Sequence, residues 1–249
     1  MFQRKDARSP SQMRELRIDL DVNKYAEGSA LITLGDTRVI CTASLEDRVP
    51  PWLRGQGQGW VTAEYGMIPR ATDVRTQREA SKGRPSGRTQ EIQRLIGRSL
   101  RAVTLLTAMG ERTIWVDCDV VQADGGTRTA SITGGFVALA LAFRRMKEKD
   151  QLSKKPLTGL VAATSVGVLD GTPCLDLCYE EDSKADVDMN IVRTSAKRYV
   201  EVQGTAEKTP FTQEEMQKML ALANDGIDRL FEMQRKLLSS FLPSVLDEK

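Results

Sequence analysis

The segment Gln122–Gly135, QADGGTRTASITGG, constrains this chain more than any other part of its sequence. A polar strand end runs into Gly125 and Gly126, and a helix that is apolar nearly all round follows, which predicts that the helix is buried. The two glycines let the backbone turn its N–H groups inward, while Thr127 and Arg128 add a hydroxyl and a guanidinium. An ordinary glycine turn would also fit the tetrapeptide. Its position before a buried helix, whose first N–H groups need a partner, favours a phosphate pocket.

The composition is that of a soluble globular protein, with 40% apolar and 28% charged residues among 249. This length is sufficient for a sizeable core but short for two independent domains. The absence of histidine excludes His-based acid–base catalysis, Ser-His-Asp hydrolysis and His-ligated zinc. Any catalysis must therefore use carboxylates, cationic side chains and a bound metal ion.

The location of the protein is predicted from its N-terminus and its cysteines. The first residues contain no apolar signal region, and no run approaches the length of a membrane span. Cys174 and Cys178 fall in a strand-like run that places them roughly 13 Å apart, beyond the ~7 Å limit for a disulfide. These patterns predict a reduced, cytoplasmic protein with no membrane partner.

Basic residues are concentrated in one stretch, although the net charge of the chain is only +2. Between Arg70 and Arg101 there are nine basic and three acidic residues, and eight of the nine are arginines. A solvated charged face is the plain interpretation. The arginine fork, however, suits phosphate and carboxylate better than solubility requires, which favours a polyanion-binding surface.

Each half of the chain opens with a predicted hairpin and closes with a predicted helix. The first hairpin turns at Gly35-Asp36 and the second at Asp170-Gly171. The pattern indicates an internal duplication within one domain, residues 1–249, whose halves cover about 15–148 and 157–242. Residues 150–156 are too short to be a free linker, so the halves are not expected to be independent.

Acidic residues are concentrated in the segment 180–188, EEDSKADVD, which follows a predicted strand. Asp182 and Asp188, with Asp186 as an optional third ligand, could hold magnesium, which prefers oxygen ligands. Taken alone, the segment is more typical of a solvated acidic turn. The pair Asp117 and Asp119 is a weaker candidate, because carboxylates among apolar strand neighbours are more often structural.

Taken together, these motifs make the chain resemble the ribonuclease PH family from about residue 25 to residue 234. The resemblance is carried by several ordered segments: AEGSALITLGDTRVICTAS, LRGQGQGWVTAEYGMIPR, QREASKG, GRTQEIQRLIGRSLRA, DCDVVQADGGTRTASITGG, VAATSVGV, EDSKADVDMN and EVQGTAE. It implies a mixed α/β fold of two pseudo-repeated halves, with mixed sheets packed on helices. It also implies a homo-hexameric ring built as a trimer of dimers.

The resemblance implies a phosphate-dependent 3′–5′ exoribonuclease, a phosphorolytic nucleotidyltransferase acting on transfer-RNA precursors and releasing nucleoside diphosphates. The resemblance does not decide whether ribosomal RNA is a second substrate. Phosphate, the co-substrate, would be bound by Arg88, Gly126, Thr127 and Arg128. Asp182 and Asp188 would be catalytic and would bind magnesium.

We further expect Arg70, Arg75 and Arg78 to contact the RNA backbone away from the scissile bond. Four departures from the family pattern, Tyr25, the 84–86 loop, Lys184 and Asp186, leave the implied site residues intact. A catalytically silent RNA-binding ring subunit and a hydrolytic 3′ exonuclease are the alternative functions.

Overall fold

A computed structural model describes Arg4 and residues 6–247, except for the side chains of residues 80 and 82. Within this part of the chain there are five α helices and nine strands, and the strands form two sheets. The first sheet has the order β1-β2-β3-β5-β4 and is antiparallel except for the β4–β5 pair. Its strands are β1 Leu16–Leu20, β2 Gly28–Leu34, β3 Thr37–Glu46, β4 Trp60–Met67 and β5 Thr113–Gln122.

The second sheet is antiparallel and has the order β7-β6-β8-β9. Its strands are β6 Val161–Leu169, β7 Thr172–Leu175, β8 Val187–Thr194 and β9 Tyr199–Ala206. The helices are α1 Gly87–Arg101, α2 Thr127–Glu148, α3 Tyr179–Asp182, α4 Gln213–Leu238 and α5 Leu242–Val245. The predicted mixed α/β fold is therefore confirmed.

Helix α2 lies at the centre of the molecule, in contact with both sheets and with α1, α4 and α5. Most of its residues are buried, including Phe136 and Phe143, as the apolar sequence predicts. Small residues allow the close approach: a Cβ at Gly28 would lie 2.0 Å from Ala138 O, and a Cβ at Gly134 would lie 2.8 Å from Ile32 Cγ2. One hydrophobic cluster thus joins both halves around this helix.

Both predicted hairpins are present, as the pairs β2–β3 and β6–β7. The long connection after residue 49 contains β4, although its sequence is rich in glycine, proline and arginine. The strand-like run predicted to contain both Cys174 and Cys178 is too long, since β7 ends at Leu175. The chain leaves the sheet after Leu175 and forms the one-turn helix α3, because Asp176 has a positive φ and Arg4 binds its carbonyl.

None of the helices in the described part of the chain combines the length and apolarity needed to span a lipid bilayer. All four cysteines are free thiols. Asp117 and Asp119 lie on the outer face of the first sheet beside Glu64, which is paired in register with Asp117. They are therefore separate from Asp182 and Asp188, which line the cleft described below.

Candidate active site

The turn between β5 and α2 adopts a conformation that requires glycine. Gly125 and Gly126 have φ angles of +75° and +66°, which L side chains rarely adopt. A Cβ at Gly125 would also lie 2.5 Å from Leu177 O and 2.8 Å from Tyr179 N. The turn therefore packs directly against the segment that leads into α3.

The carbonyl groups of this turn are bound on the side away from the cleft. Arg14 Nη1 donates to Asp124 O, and Thr37 Oγ1 donates to Gly125 O at 2.7 Å. Thr37 Oγ1 also accepts from Asp124 N at 3.0 Å. At the other side, α2 begins without a side-chain cap, so its first N–H groups are available to an anion.

Thr127 and Arg128 are the first two residues of α2, and neighbouring side chains fix both of them. The Thr127 hydroxyl lies 2.9 Å from the buried hydroxyl of Tyr65, on β4. Arg128 Nη1 donates to Gln203 Oε1 at 2.9 Å and lies 3.5 Å from Glu91 Oε1. The guanidinium is thereby held between α1 and β9.

Arg88 projects from the first turn of α1 into the same cleft. Ser86 caps this helix by accepting from Thr89 N at 3.2 Å, which sets the direction of the first turn. Among the described residues, the Arg88 guanidinium has no hydrogen-bond or ion-pair partner. It is a free cation facing the turn, in contrast to Arg128.

Asp182, at the end of α3, and Asp188, near the start of β8, lie within hydrogen-bonding reach of each other. Burial and the neighbouring Asp182 charge raise the pKa of Asp188 to about 6. Burial also raises the pKa of Asp182, while Arg88 and Arg128 act in the opposite direction. The two carboxyl groups are thus half-buried, close together and near two guanidinium groups.

The residues present fit a magnesium ion. Oδ1 of Asp188 is buried and receives no hydrogen bond from the described part of the chain, so one carboxylate oxygen is left for another ligand. No group of three or more His, Cys, Asp or Glu side chains is placed to hold a metal anywhere in the described ranges. Asp186 instead lies 3.3 Å from Lys208 Nζ and does not line the cleft. Two carboxylates suit magnesium, which usually binds through one or two carboxylates together with substrate phosphates.

A single cleft of about 750 Å³ brings together all six residues expected at the phosphate and metal sites. They are Arg88, Gly126, Thr127, Arg128, Asp182 and Asp188. The three expected RNA-binding arginines lie outside it. Arg70 donates to Asp73 O at 2.7 Å, Arg78 lines a neighbouring hollow, and Arg75 is exposed. Their loop nevertheless contributes Thr72, Asp73, Val74 and Thr76 to the wall of the cleft.

Comparison with known proteins agrees with this arrangement. Models of the 3′ exoribonuclease family match residues 12–144 for domain 1 and residues 159–226 for domain 2. The chain is 58% identical to ribonuclease PH of Syntrophomonas wolfei, over 95% of this chain and 99% of the relative. The chain belongs to the ribonuclease PH family of 3′ exoribonucleases.

Solved structures at lower sequence identity share the fold. Rice Rrp46 matches with a TM-score of 0.76 at 20% identity, over 94% of this chain and all of that one. A subunit of the Archaeoglobus fulgidus exosome, solved with RNA bound to its active site, matches with a TM-score of 0.77 at 20% identity. That match covers 93% of this chain and 92% of the exosome chain.

The departures from the ribonuclease PH pattern fall outside the cleft. Tyr25 is exposed, and Lys184 forms a surface ion pair with Glu180 at 3.0 Å. Ser86 of the altered loop supplies the cap of α1, and Arg84 lines the hollow beside Arg78. None of these side chains contacts the acid pair or the turn in the described part of the chain.

The sequence did not reveal several residues that line or support this cleft. They are Arg14 and Tyr65, which support the turn, and Asp124, Ser165, Tyr179 and Asn190, which line the cleft. Arg14 lies more than a hundred residues before the turn, and no spacing connects the two. Tyr65 could have been found only if β4 had been recognised within its glycine-rich surroundings.

Proposed function

We propose that this protein shortens RNA from the 3′ end by phosphorolysis. An oxygen of inorganic phosphate attacks the terminal phosphorus, and the bond from that phosphorus to the 3′ oxygen of the preceding nucleotide breaks. The products are a nucleoside 5′-diphosphate and an RNA one nucleotide shorter. The observation that carries the proposal is the cleft in which a helix N-terminus, two arginines and two half-buried carboxylates meet.

Each group of the cleft has a part that follows from its chemistry. The first N–H groups of α2 and the guanidinium groups of Arg88 and Arg128 would hold the phosphate and offset its repulsion from the RNA. The free guanidinium of Arg88 can turn to the incoming ion, whereas Arg128 is already fixed by Gln203 and Glu91. Phosphate is itself a nucleophile, so no histidine base is required.

Asp182 and Asp188 would hold magnesium. When bound, the ion would stabilise charge on the scissile phosphate and on the leaving 3′ oxygen. The acids come from α3 and β8, whereas the arginines come from α1 and α2, so different elements of the chain supply the metal ligands and the phosphate donors of one cleft.

The decisive experiment uses an RNA with a single-stranded 3′ extension, in magnesium, with and without phosphate. Diphosphates that appear only with phosphate support phosphorolysis. Monophosphates would favour a hydrolytic exonuclease, and no product would favour a silent RNA-binding subunit. Because the bond broken and the bond formed are similar in energy, excess nucleoside diphosphate should also extend the RNA, as expected of a nucleotidyltransferase.

We further propose that the substrates are transfer-RNA precursors, with ribosomal RNA as a second class, and that Arg70, Arg75 and Arg78 contact their backbone. These three arginines lie on the loop that forms one wall of the cleft, and RNA passing over that wall would meet them. Assays of 3′ trimming on transfer-RNA precursors and on ribosomal RNA would show which of the two classes is a substrate.

The working form is proposed to be a homo-hexameric ring, a trimer of dimers, formed by one domain with two dependent halves. Structural relatives are exosome subunits, and the outer face of the first sheet carries the exposed Trp115 next to Asp117. Light scattering should then give six times the chain mass of 27.6 kDa. The four free thiols agree with a cytoplasmic location, which cell fractionation would test.

A further inference from the structure

The rim of the cleft differs in character from its floor. Among the described residues nine large hydrophobic side chains are exposed, and three of them, Met67, Val74 and Tyr179, line this one cleft. The floor, in contrast, carries the arginines, the turn and the acids. Apolar groups are rarely left exposed together on a soluble protein without a binding partner.

Tyr179 is the largest of the three and is 65% exposed. Its backbone N–H donates to Asp124 Oδ1 at 3.2 Å, which anchors the residue to the turn before α2. Its hydroxyl has no hydrogen-bond partner among the residues described. The backbone therefore positions a largely exposed ring whose hydroxyl is not used by the described part of the chain.

Tyr179 and Asp182 are three residues apart on α3, so their side chains project from the same side of that helical turn. The rise over three residues is about 4.5 Å, which places the ring beside the proposed metal site. A nucleotide whose phosphate lies near Asp182 would bring its base to this position.

We infer that Tyr179, with Met67 and Val74, forms a stacking subsite for the unpaired base of the 3′-terminal nucleotide of RNA. This inference rests on the proposed function. Stacking on an aromatic ring is tolerant of sequence because every base has a π face. The polar side chains beside Val74 are otherwise engaged, since Thr72 Oγ1 donates to Val74 O and Asp73 Oδ1 accepts from Val74 N, both at 2.7 Å. The subsite therefore holds a base without identifying it.

The test compares Tyr179→Ala and Tyr179→Phe on two RNAs that differ only in the presence of the 3′-terminal base. Loss of one stacked base should lower kcat/KM for RNA by roughly 5- to 100-fold in Tyr179→Ala, with the KM for phosphate unchanged. Tyr179→Phe should retain activity, because the ring and not the hydroxyl makes the contact. Tyr25→Ala, which removes an exposed tyrosine outside the cleft, is the matched control and should have no effect.

The abasic RNA sharpens the test. With the abasic RNA, the kcat/KM of the wild-type protein should fall by a similar factor. The kcat/KM of Tyr179→Ala should be the same for both RNAs, since base and ring are partners in one contact. Equal activity of wild-type and Tyr179→Ala protein would overturn the subsite, as would an equal loss in Tyr179→Phe. An abasic penalty that persists in Tyr179→Ala would place the base elsewhere.

Failure of the proposed function gives a different result. In that case the wild-type protein releases no diphosphate from either RNA. Binding of RNA with 2-aminopurine at its 3′ end is independent of turnover. Fluorescence quenching by the wild-type protein that is lost in Tyr179→Ala would support the subsite, and equal fluorescence in both proteins would reject it.

Discussion

Two pairs of carboxylates lie next to each other around α3, and their surroundings are opposite. Asp176 and Glu181 are surrounded by arginines from the N-terminal segment, whereas Asp182 and Asp188 face each other in the cleft. Arg14 donates to both oxygens of Asp176, and Arg4 donates to both oxygens of Glu181, at 2.6 to 3.0 Å. Glu181 and Asp182 are adjacent in sequence, so residue type alone does not distinguish the two pairs.

The pKa values of Glu181 and Asp188 move in opposite directions. Burial raises the pKa of Glu181, but hydrogen bonds from Arg4 and from Cys178 N outweigh it, so the net pKa lies below its ordinary value. Burial and Asp182 raise the pKa of Asp188 to about 6. Charges that stabilise the fold are compensated within the chain, while charges in the cleft are left for a ligand to compensate. Substitutions in the two pairs should therefore have opposite consequences for stability and turnover.

The largest effect is expected from Asp188→Asn. Loss of one proposed metal ligand should lower turnover at least about a hundredfold, the scale of losing one group that stabilises developing charge. The same change removes a half-buried like charge beside Asp182, so the free energy of unfolding should stay constant or rise. Turnover and denaturant unfolding should be measured on the same preparation. Full activity would exclude Asp188 as a ligand.

Asp176→Asn should do the reverse, with a loss of stability. The change removes the two short charged hydrogen bonds of the buried Arg14 and leaves it only the longer ion pair with Asp124 at 3.6 Å; breaking a buried pair costs about 3–5 kcal/mol. Asparagine tolerates the positive φ of Asp176, so the backbone itself need not change. Asp19→Asn, which breaks a surface pair with Arg17, should cost about 0–1 kcal/mol and is the control. Equal unfolding midpoints in urea for the two variants would contradict the distinction.

Arg88→Ala tests the free cation of the cleft. Because Arg88 has no partner in the described part of the chain, its loss should leave stability nearly unchanged and raise the KM for phosphate by about 10- to 100-fold, the scale of one charge-assisted hydrogen bond. RNA binding should be spared. Arg94→Ala, an exposed arginine on the same helix, is the control for phosphate kinetics. An unchanged phosphate dependence in Arg88→Ala would remove it from the site.

The loop arginines Arg70, Arg75 and Arg78 are exposed charges of a third kind: within the described part of the chain they pair with no carboxylate, and they do not line the cleft. Their triple replacement by alanine should weaken binding of long RNA and reduce its salt dependence by about 0.7 in log–log slope for each RNA phosphate that is no longer neutralised. Binding would be titrated at several salt concentrations. Arg17→Ala and Arg48→Ala, exposed elsewhere in the first half, serve as controls. An unchanged slope would refute the assignment.

The sequence predicted the secondary-structure elements better than it predicted the side chains that hold the site residues in place. Hairpins and the buried helix α2 follow from local patterns, since alternation and apolar periodicity are set within one segment. The GGTR turn could be predicted because its residue types alone indicate its properties: glycine allows the turn, and threonine and arginine are donors to phosphate. The contrast between Glu181 and Asp182 could not be predicted, because it depends on Arg4 and Arg14, more than a hundred and sixty residues away from the acids that they bind.

The smallest effect is expected from Tyr65→Phe, which tests a neutral support of the site. If Thr127 donates its proton to phosphate, its oxygen must accept from Tyr65, so Tyr65 fixes the direction of that donor. Loss of one neutral hydrogen bond corresponds to about 0.5–1.5 kcal/mol, or a rise of about 2- to 12-fold in the KM for phosphate. The KM for RNA should be unchanged, and Tyr25→Phe should change neither value. A shift in the KM for RNA alone would show that the Tyr65 hydroxyl does not act through Thr127.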